Sequence, residues 1–524
     1  MNNPNAAAGI PPLFRQFLEI EQCIASGRLT QASQQVDALL RQSPGLVPAL
    51  LFKAELELAA GRNASARQRV GQALAGRLDS PRTAIHLLRV LASLSESSTM
   101  LEVVAQLPPP MWDSAKSLAE VAQELSVVGA YEAAREFAEA AVARDPNHPP
   151  SLYILATVEL FYGRLDRAAE LCQRCLRWVP EDPGTHWLLS RLRQPDPGPR
   201  IDRIRKLLDR GPDVHAEYWL AYALHNELHD LGDFEAAWEA LERGCRAKRS
   251  TLAYDPKAAD ALFDALLRWT REEVERDDGF AGTDLRPVFV IGLHRSGTTL
   301  TEQILAGHPE VAAGGETYDI RAQLRRASGL HYPGELDRRV VEVRDRLPYA
   351  KIGEAYLRGM AWRARGKGIV TDKLPSNYFN VGFIARAIPE ARFIHLNRDP
   401  VAVGLSSLRT LFSHACPYSY DQQEFIAHYR NYQRLMDHWR RLLPDRLLDV
   451  QYDDLVRDPE ATATRIARFV GLEFHPSMLE VGRKREAVAT ASSVMMRDGI
   501  RRDRGSVWKA YARQLQPIID ALGS

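Results

Sequence analysis

The most chemically suggestive stretch of the sequence is a loop between a strand-like run and a helix start. The segment VFVIGLHRSGTTLTEQIL (288–305) has the pattern of a buried strand, a loop and a helix. From Gly292 to Thr299 the loop follows the spacing G-x-x-x-x-G-K-[ST] of nucleotide-phosphate loops, except that Thr298 stands where that motif has lysine. Backbone N–H groups at a helix start can hold an anion without that lysine. The loop is therefore predicted to be an anion cradle and a poor ATP or GTP site, and the alternative is a glycine turn without a ligand.

Polar side chains stand where other strand-like runs end. Beyond residue 250, helical stretches alternate with short β-branched runs at 286–293, 366–373, 391–399 and 446–455. Such runs are typical of parallel strands covered on both faces, which predicts a doubly wound α/β domain. Ligands of these domains bind beyond the carboxyl ends of the strands. Lys373 and Arg398 stand at two such ends, and Glu316 follows a glycine pair where a further strand should end beside the loop.

The first half of the chain carries a 34-residue repeat. Glycines mark it, with Ser95 at the intermediate point, alanines follow five residues later, and prolines follow seventeen residues later: Gly27, Gly61, Gly129, Gly163; Ala32, Ala66, Ala134, Ala168; Pro44, Pro146, Pro180. This pattern resembles the tetratricopeptide repeat, in which glycine permits the interhelical turn, alanine allows close helix packing and proline stops the second helix. The unit around Ser95 lacks the alanine and the proline, so it is either a degenerate repeat or an irregular helical pair.

These patterns predict a multidomain chain with an all-α part and an α/β part. Residues 216–249 repeat the pattern out of register after a predicted break at 194–200. We therefore predict an α-solenoid over 11–250, a junction over 251–285 and an α/β domain over 286–524.

The motifs RSGTTL, HPEV and GGET together resemble those of the P-loop sulfotransferases, in particular the protein-tyrosine sulfotransferases and the bacterial tetratricopeptide-repeat sulfotransferases. The resemblance covers roughly 285–512, and the repeats extend it over most of the chain. It implies a doubly wound, parallel-sheet P-loop sulfotransferase fold. It also implies 3′-phosphoadenosine 5′-phosphosulfate (PAPS) as the donor, adenosine 3′,5′-bisphosphate as the product, a hydroxyl acceptor and no metal.

The resemblance also implies roles for individual residues. Glu316 corresponds to the general base, Lys373 to the lysine that assists the departing phosphate, and Arg295 to the arginine at the phosphosulfate end of the donor. Donors to the 5′-phosphate would come from Ser296, Gly297, Thr298 and Thr299. Arg398 and Ser406 reproduce the spacing of the 3′-phosphate site, with Arg409 as a further candidate.

The C-terminal match is TASSVMMR (490–497), which gives Ser492 a catalytic and donor-binding role and Arg497 a donor-binding role. Ser493 is the alternative to Ser492. The family pattern then weakens, and the candidates for an additional contact to the 3′-phosphate are Arg501, Arg502 and Arg504.

Several other residues have a functional and a structural interpretation. Cys172 and Cys175 form C-x-x-C, but without a second pair or a nearby histidine we expect core packing. His294 and His395 are alternative bases, for which structural roles are favoured. Asp399 is expected to cap a helix or pair with neighbouring structure rather than contact a ligand.

Composition narrows the class of protein. A net charge of +1 gives no global attraction for nucleic acid or an anionic membrane. The sequence contains no run of about 18 apolar residues, so no membrane span is predicted. The N-terminus has no secretory pattern. Five scattered cysteines in 524 residues favour a reducing compartment, and we predict the cytoplasm.

Three functions remain at this point. The favoured one is sulfuryl transfer from PAPS, with the repeats recruiting an acceptor such as a tyrosine of a peptide or protein. The others are a P-loop phosphotransferase and a tetratricopeptide adaptor with an inactive sulfotransferase domain. The sequence leaves open whether the acceptor is tyrosine, sugar, lipid or small phenol, and it leaves the oligomeric state open.

Overall fold

A computed structural model describes residues 11–108, 113–412, 415–481, 500 and 506–523. The chain divides into two compact units. The first consists of Met1–Asp113 with Leu324–Tyr332, and the second of Ser114–Gln323 with Pro333–Ser524. In the described ranges no helix is both long and apolar enough to cross a membrane.

The first unit is built from helical pairs of the predicted repeat. Its helices are α1 (Pro12–Ala25), α2 (Leu29–Gln42), α3 (Val47–Ala59), α4 (Asn63–Leu74), α5 (Pro81–Ser93) and α6 (Ser97–Gln106). The turns within the pairs contain a left-handed residue, with φ of 72° at Gly27, 78° at Gly61 and 59° at Ser95. Because Ser95 adopts the conformation of the grid glycines, the third pair keeps the repeat geometry without its consensus residues.

Residues 324–332 complete this unit. The backbone N–H of Asn63 donates to the Gly329 carbonyl at 2.9 Å, and that of His331 donates to the Gly61 carbonyl at 2.8 Å. A β-bridge joins Arg62 to Leu330. A repeat turn therefore pairs with a segment far away in the sequence.

The second unit begins with further repeats: α7 (Ala115–Val127), α8 (Tyr131–Arg144), α9 (Pro149–Phe161), α10 (Leu165–Trp178), α11 (Pro183–Ser190), α12 (Gly198–Asp209), α13 (Val214–Leu231) and α14 (Phe234–Ser250). Gly129 and Gly163 are left-handed, and Ala134 and Ala168 are fully buried. Helices α8 and α10 each end two residues before a grid proline, as the repeat pattern predicts.

The last three repeat helices depart from the 34-residue spacing. Helix α12 begins at Gly198, inside the segment predicted as a break, and it packs on α13 through Ile201, Ile204 and Leu220. The predicted break is therefore shorter than 194–200. Helices α13 and α14 are longer than the other repeat helices and meet at Gly232, which has a φ of 88°.

In the described ranges, the α/β part contains five parallel strands in the order β2-β3-β1-β4-β5. They are β1 (Arg286–Gly292), β2 (Val311–Ala313), β3 (Ile369–Asp372), β4 (Arg392–Asn397) and β5 (Leu447–Gln451). The helices are α15 (Pro256–Leu266), α16 (Arg271–Glu275), α17 (Thr298–Ala306), α18 (Asp319–Ser328), α19 (Arg338–Glu342), α20 (Tyr349–Ala364), α21 (Val381–Ala387), α22 (Pro400–Leu408), α23 (Gln422–Leu442), α24 (Tyr452–Arg457), α25 (Pro459–Phe469) and α26 (Gln516–Leu522).

The sheet has apolar side chains on both faces. Val288 and Val290 of β1 belong to a buried cluster with residues of α17, α24 and α25. Phe289, on the opposite face, stacks with Tyr356 of α20 and Phe393 of β4 at centroid distances of 5.6 Å. This confirms the predicted doubly wound fold, and its four strand-like runs all contain strands.

Strand β1 is the point at which the strand order reverses, because it lies between β3 and β4. The chain leaves β1 toward one edge of the sheet and crosses to the other edge after β3. A ligand of a doubly wound sheet binds beyond the carboxyl end at such a point. The loop after Gly292 occupies this position.

Residues 251–285, predicted as a junction, contain α15 and α16. Trp269 between them is fully buried and meets Phe383 edge-on at 5.2 Å. A Cβ at Gly382 would lie 2.8 Å from the Trp269 ring. This stretch is therefore packed against the α/β residues.

Candidate active site

The two loop glycines are required by close packing. A Cβ at Gly292 would lie 2.8 Å from Ser296 Oγ and 2.9 Å from the Leu396 carbonyl oxygen. Gly297 has a φ of 109°, and a Cβ there would lie 2.5 Å from the Tyr452 ring. The loop spacing thus permits the backbone to turn tightly into α17.

Arg295 lies in a strained conformation at the centre of this loop. Its φ of 75° is left-handed, which costs a non-glycine residue about 1–3 kcal/mol and is common at functional sites. Its Nε donates to Ser406 Oγ at 3.0 Å, and Nη1 of Arg398 donates to its carbonyl oxygen at 3.1 Å. The structure thus joins the loop, the end of β4 and helix α22.

Buried hydroxyl groups border the start of α17. Ser296 is 2% exposed, and its Oγ has no hydrogen-bond partner among the described residues. Thr298 and Thr299 are also buried. An unsatisfied buried hydroxyl costs about 1–3 kcal/mol, so this loop is suited to a ligand that accepts its hydrogen bond.

Several other arginines lie near Arg295. The pKa of its guanidinium falls to about 10, first because protein encloses the group and then because Arg398, Arg191 and Arg409 lie nearby, while Glu316 opposes the shift. The guanidinium of Arg398 also lies 4.3 Å from the centre of the Tyr452 ring. An assembly of like charges is stabilised by an anion.

Glu316 and Lys373 form an ion pair. Lys373 Nζ lies 2.6 Å from Glu316 Oε1, with side-chain exposures of 0% and 30%. The pair follows β2 and β3, and the Lys373 backbone N–H donates to the Gly315 carbonyl at 2.9 Å. The parallel strands therefore bring a carboxylate and an ammonium group together beyond their carboxyl ends.

Glu302 supports this pair from α17, although the sequence analysis did not identify it. Its Oε1 accepts from the Gly315 backbone N–H at 2.9 Å and from Thr371 Oγ1 at 2.8 Å. Burial raises the pKa of Glu302, and Lys373 opposes that shift. The signal in the sequence was an acidic residue about one turn into the helix that follows the loop.

Asp372 ties the two strand ends together and was also missed. Its Oδ2 accepts from Thr317 Oγ1 at 2.8 Å and from the Tyr356 hydroxyl at 2.9 Å, and its Oδ1 accepts from Asn377 Nδ2 at 3.2 Å. Burial raises the pKa of Asp372 to about 7, although the Thr317 and Tyr356 hydrogen bonds oppose the shift. Both carboxylate oxygens are thus engaged by protein donors.

The two histidines differ in their environments. His395 is fully buried and hydrogen-bonds Asp449 Oδ1 at 2.6 Å and the Tyr432 hydroxyl, as a structural histidine does. His294 has a buried Nδ1 without a partner in the described ranges. Burial lowers the pKa of His294 to about 4; Glu316 opposes this shift and Lys373 adds to it, so the ring lies near both.

The cysteines and Asp399 occupy structural positions. Cys172 and Cys175 are 0% and 2% exposed in the repeat core, and burial raises the pKa of both thiols. Asp399 Oδ1 accepts from the Ala402 backbone N–H at 2.8 Å and caps α22, as predicted.

The structure places the predicted residues in two groups. Arg295, Arg398 and Ser406 meet at one end of the loop, and Glu316 with Lys373 forms the other group. The predicted C-terminal residues lie outside the described ranges: Ser492, Ser493, Arg497, Arg501, Arg502 and Arg504.

Comparisons with known proteins match both parts of the chain. Residues 287–476 match the model of the sulfotransferase family, and residues 128–192 match a tetratricopeptide repeat model. An uncharacterized protein of Aquifex aeolicus (strain VF5) is 30% identical over 57% of this chain and 41% of its own length. Protein-tyrosine sulfotransferase 1 of Danio rerio is 25% identical over 37% of this chain and 56% of its own length.

The solved structures that are similar to this chain include the sulfotransferase domain of the Synechococcus PCC 7002 olefin synthase. It is 24% identical with a TM-score of 0.32, and the match covers 44% of this chain and 89% of that one. The chain spans less than two thirds of the length of the two relatives named above. The family matches confirm the predicted resemblance: the chain carries a sulfotransferase-family segment and tetratricopeptide repeats.

Proposed function

We propose that this protein transfers a sulfuryl group from PAPS to a hydroxyl acceptor. The observation that carries the proposal is the Lys373–Glu316 ion pair beside a loop with an unsatisfied buried hydroxyl and a surplus of positive charge. An anion cradle, a carboxylate and a buried ammonium group are the components that metal-free sulfuryl transfer requires. The sulfotransferase-family match of the same residues supports this assignment.

The residues of the loop fit the donor's anionic groups. Backbone N–H groups at the start of α17 and the Ser296 hydroxyl would bind the 5′-phosphate, with Thr298 and Thr299 as further donors. Arg295 would bind the phosphosulfate end, while Arg398 and Ser406 would hold the 3′-phosphate.

Glu316 and Lys373 would carry the proton and the leaving charge. The acceptor oxygen forms a bond to sulfur as the bond between sulfur and the bridging phosphate oxygen breaks. The acceptor proton passes to the Glu316 carboxylate, and Lys373 stabilises the negative charge that develops on the leaving phosphate oxygen. Glu302 and Asp372 would hold the two residues in position through the hydrogen bonds described above.

The resting ion pair has a consequence for the order of events. Lys373 neutralises Glu316 before the donor arrives. The negative charge of the donor would draw the ammonium group toward the leaving phosphate, because both anions compete for one buried cation. The carboxylate is then available as a base only when the donor is in place.

The acceptor proposal is a tyrosine of a peptide or protein. One relative is named a protein-tyrosine sulfotransferase. A residue of the repeats also lies near Glu316, the proposed base. Tyr131 at the start of α8 has a pKa raised by burial and further by Glu316, so a repeat side chain lies near the carboxylate. A solenoid surface is suited to extended peptides. A cytoplasmic location and a metal-free site remain predictions.

The two alternatives have weaker support. A P-loop phosphotransferase would need a loop lysine where Thr298 stands, and a carboxylate free to hold magnesium. Asp372, the last residue of β3, has both oxygens engaged. An inactive adaptor would have no use for a buried lysine paired with a carboxylate beside an anion cradle.

Thermal unfolding with nucleotides tests the proposal. Adenosine 3′,5′-bisphosphate without magnesium should stabilise the protein by about 2.7 kcal/mol at a hundredfold excess over its dissociation constant, and ADP with magnesium should stabilise it less. Glu316→Gln should lower sulfate transfer about 1,000-fold and keep bisphosphate binding. Stronger stabilisation by ADP with magnesium would refute the donor, and full turnover by Glu316→Gln would refute the base.

A further inference from the structure

The last helical pair of the repeats is hydrogen-bonded to the C-terminal end of α22. The Tyr222 hydroxyl donates to the Leu408 carbonyl at 2.8 Å, and Cys245 Sγ lies 3.6 Å from the same oxygen. The final carbonyls of a helix have no partner inside the helix, so α13 and α14 supply the missing donors. Gly244 makes room for this contact, because a Cβ there would lie 2.8 Å from the Tyr222 ring.

His225, one turn further along α13, binds the next residue of the same helix end. Its Nδ1 lies 2.7 Å from the Ala237 carbonyl oxygen, and Arg409 Nε lies 2.8 Å from its Nε2. A carbonyl only accepts, so the proton is on Nδ1, and Nε2 accepts from the guanidinium. Burial and then Arg409 hold the pKa of His225 well below its usual range, which keeps this neutral form.

The Arg409 guanidinium is thereby held next to the proposed 3′-phosphate site. Ser406 precedes Arg409 by three residues on α22, so the two lie on neighbouring positions of one helical face. Arg409 lowers the pKa of Arg295, which is hydrogen-bonded to Ser406. Nε of Arg409 donates to His225, and among the described residues neither Nη1 nor Nη2 makes a hydrogen bond, so both can bind an anion.

A second repeat residue adds to the same charge. Arg191 at the end of α11 also lowers the pKa of Arg295, and its own pKa falls to about 10 because protein encloses it. No carboxylate is ion-paired with Arg191 or Arg409 among the described residues. Asp230 lies near Arg409 and opposes the lowering of its pKa, as Glu316 does for Arg295. Cations from two separate parts of the sequence thus converge near Arg295.

We propose that the repeats form part of the donor site, with His225 as a positioning residue that aims Arg409 at the terminal phosphate of the nucleotide. The inference rests on the proposed function. In this arrangement Tyr222 fixes the C-terminal end of α22, and His225 orients Arg409. A nucleotide with a 3′-phosphate gains from the contact, and one without it does not.

The test compares two nucleotides by calorimetric titration. Wild-type protein should bind adenosine 3′,5′-bisphosphate at least about tenfold more tightly than adenosine 5′-phosphate, because a charge-assisted hydrogen bond contributes about 1.5–3 kcal/mol. His225→Phe removes the acceptor and should reduce that preference about tenfold, with adenosine 5′-phosphate affinity unchanged. His225→Gln keeps an acceptor oxygen and should retain most of the preference.

His186→Phe is the matched control. His186 is also a buried repeat histidine, with Nε2 bound to the Pro180 carbonyl at 2.9 Å. It should leave the preference unchanged. If His225→Phe does not fold, Arg409→Lys makes the same comparison, since it keeps the charge and loses the Nε donor to His225.

The outcomes separate the inference from the proposed function. A wild-type protein without preference for the bisphosphate contradicts the proposed function itself. A wild-type preference that survives His225→Phe, or that survives Arg409→Lys, overturns the inference alone. Equal weakening of both nucleotides would assign His225 a general structural role and would also overturn it.

Discussion

The two halves of the repeat array make different kinds of contact with the α/β sequence. Helices α1–α6 share a unit with residues 324–332, and backbone hydrogen bonds from Asn63 to Gly329 and from His331 to Gly61 join them. That segment contains no predicted site residue. The backbone part of this contact depends only on the conformation of the repeat turn, and an ion pair from Arg326 to Glu96 adds to it.

Helices α7–α14 contact the surroundings of the site with specific groups. Arg363 Nη2 donates to the Val128 carbonyl at 2.7 Å, and its Nη1 donates to the Gly314 carbonyl at 3.4 Å. This side chain thus joins a repeat turn to the glycine pair before Glu316. The α13–α14 pair contacts α22 at the opposite end of the site. The second half of the array thus contributes side chains to the surroundings of the candidate site.

The largest effect on stability is expected from Arg363→Met. Arg363 is 7% exposed, and its removal leaves two buried carbonyls without their donor, at about 1–3 kcal/mol each. Unfolding by urea should show a loss of roughly 3 kcal/mol, and sulfate transfer should fall because the loop before Glu316 loses its support.

Arg326→Met is the matched change in the first unit. Arg326 pairs with Glu96 at 3.1 Å and its side chain is 47% exposed, so the loss should be at most about 1 kcal/mol. Turnover should not change. Equal effects of the two substitutions would remove the distinction between the halves.

The pH dependence of stability should have opposite signs in the two units. Folded Asp372, with a pKa of about 7, keeps a proton that the unfolded chain loses near pH 4, so its contribution to stability falls as pH rises from about 4 to 7. In the first unit the hydrogen bond from Arg62 lowers the pKa of Glu57, so that contribution is lost as pH falls through the ordinary carboxyl range.

Thermal unfolding of Asp372→Asn and Glu57→Gln measures both slopes. Between pH 5 and 7 the wild type should lose about 2 kcal/mol relative to Asp372→Asn. Below pH 5 it should lose its advantage over Glu57→Gln. A wild-type slope that Asp372→Asn leaves intact would mean that another group titrates.

The smallest effect is expected from alanine at the left-handed turn glycines. Gly27, Gly61 and Gly129 have φ of 72°, 78° and 77°, so each substitution should cost about 1 kcal/mol in thermal unfolding. A Cβ at Gly129 would lie 3.1 Å from Arg363 Nη1, whereas one at Gly61 would lie 3.3 Å from the His331 carbonyl oxygen and one at Gly27 would contact nothing within 4 Å. Only Gly129→Ala should also lower turnover; a loss in Gly61→Ala would contradict this.

Local patterns predicted much of this molecule. The 34-residue grid placed the left-handed turns, the buried alanines and the ends of several helices. The apolar runs predicted the positions of the strands. The spacing of the Gly292–Thr299 loop predicted the glycines that close packing requires. Each of these signals acts over a few residues, through backbone conformation or side-chain alternation.

Long-range contacts escaped prediction. The Arg363–Val128 hydrogen bond joins residues 235 apart, and the His225–Arg409 hydrogen bond joins residues 184 apart. Neither residue type stands out in a helix. Residues 251–285 were expected only to connect two domains, because the sequence does not reveal that Trp269 packs beside Phe383. The roles of Glu316, Lys373 and the donor-binding residues stay predictions until they are measured.

The Tyr222 hydroxyl on the Leu408 carbonyl limits how such a chain can be recombined. A module that replaced the repeats would need a phenol at the position of Tyr222, a neutral imidazole at that of His225 and a glycine at that of Gly244. Exchange of repeats is therefore expected to be tolerated best upstream of α13. The last helical pair would be inherited together with the α/β part.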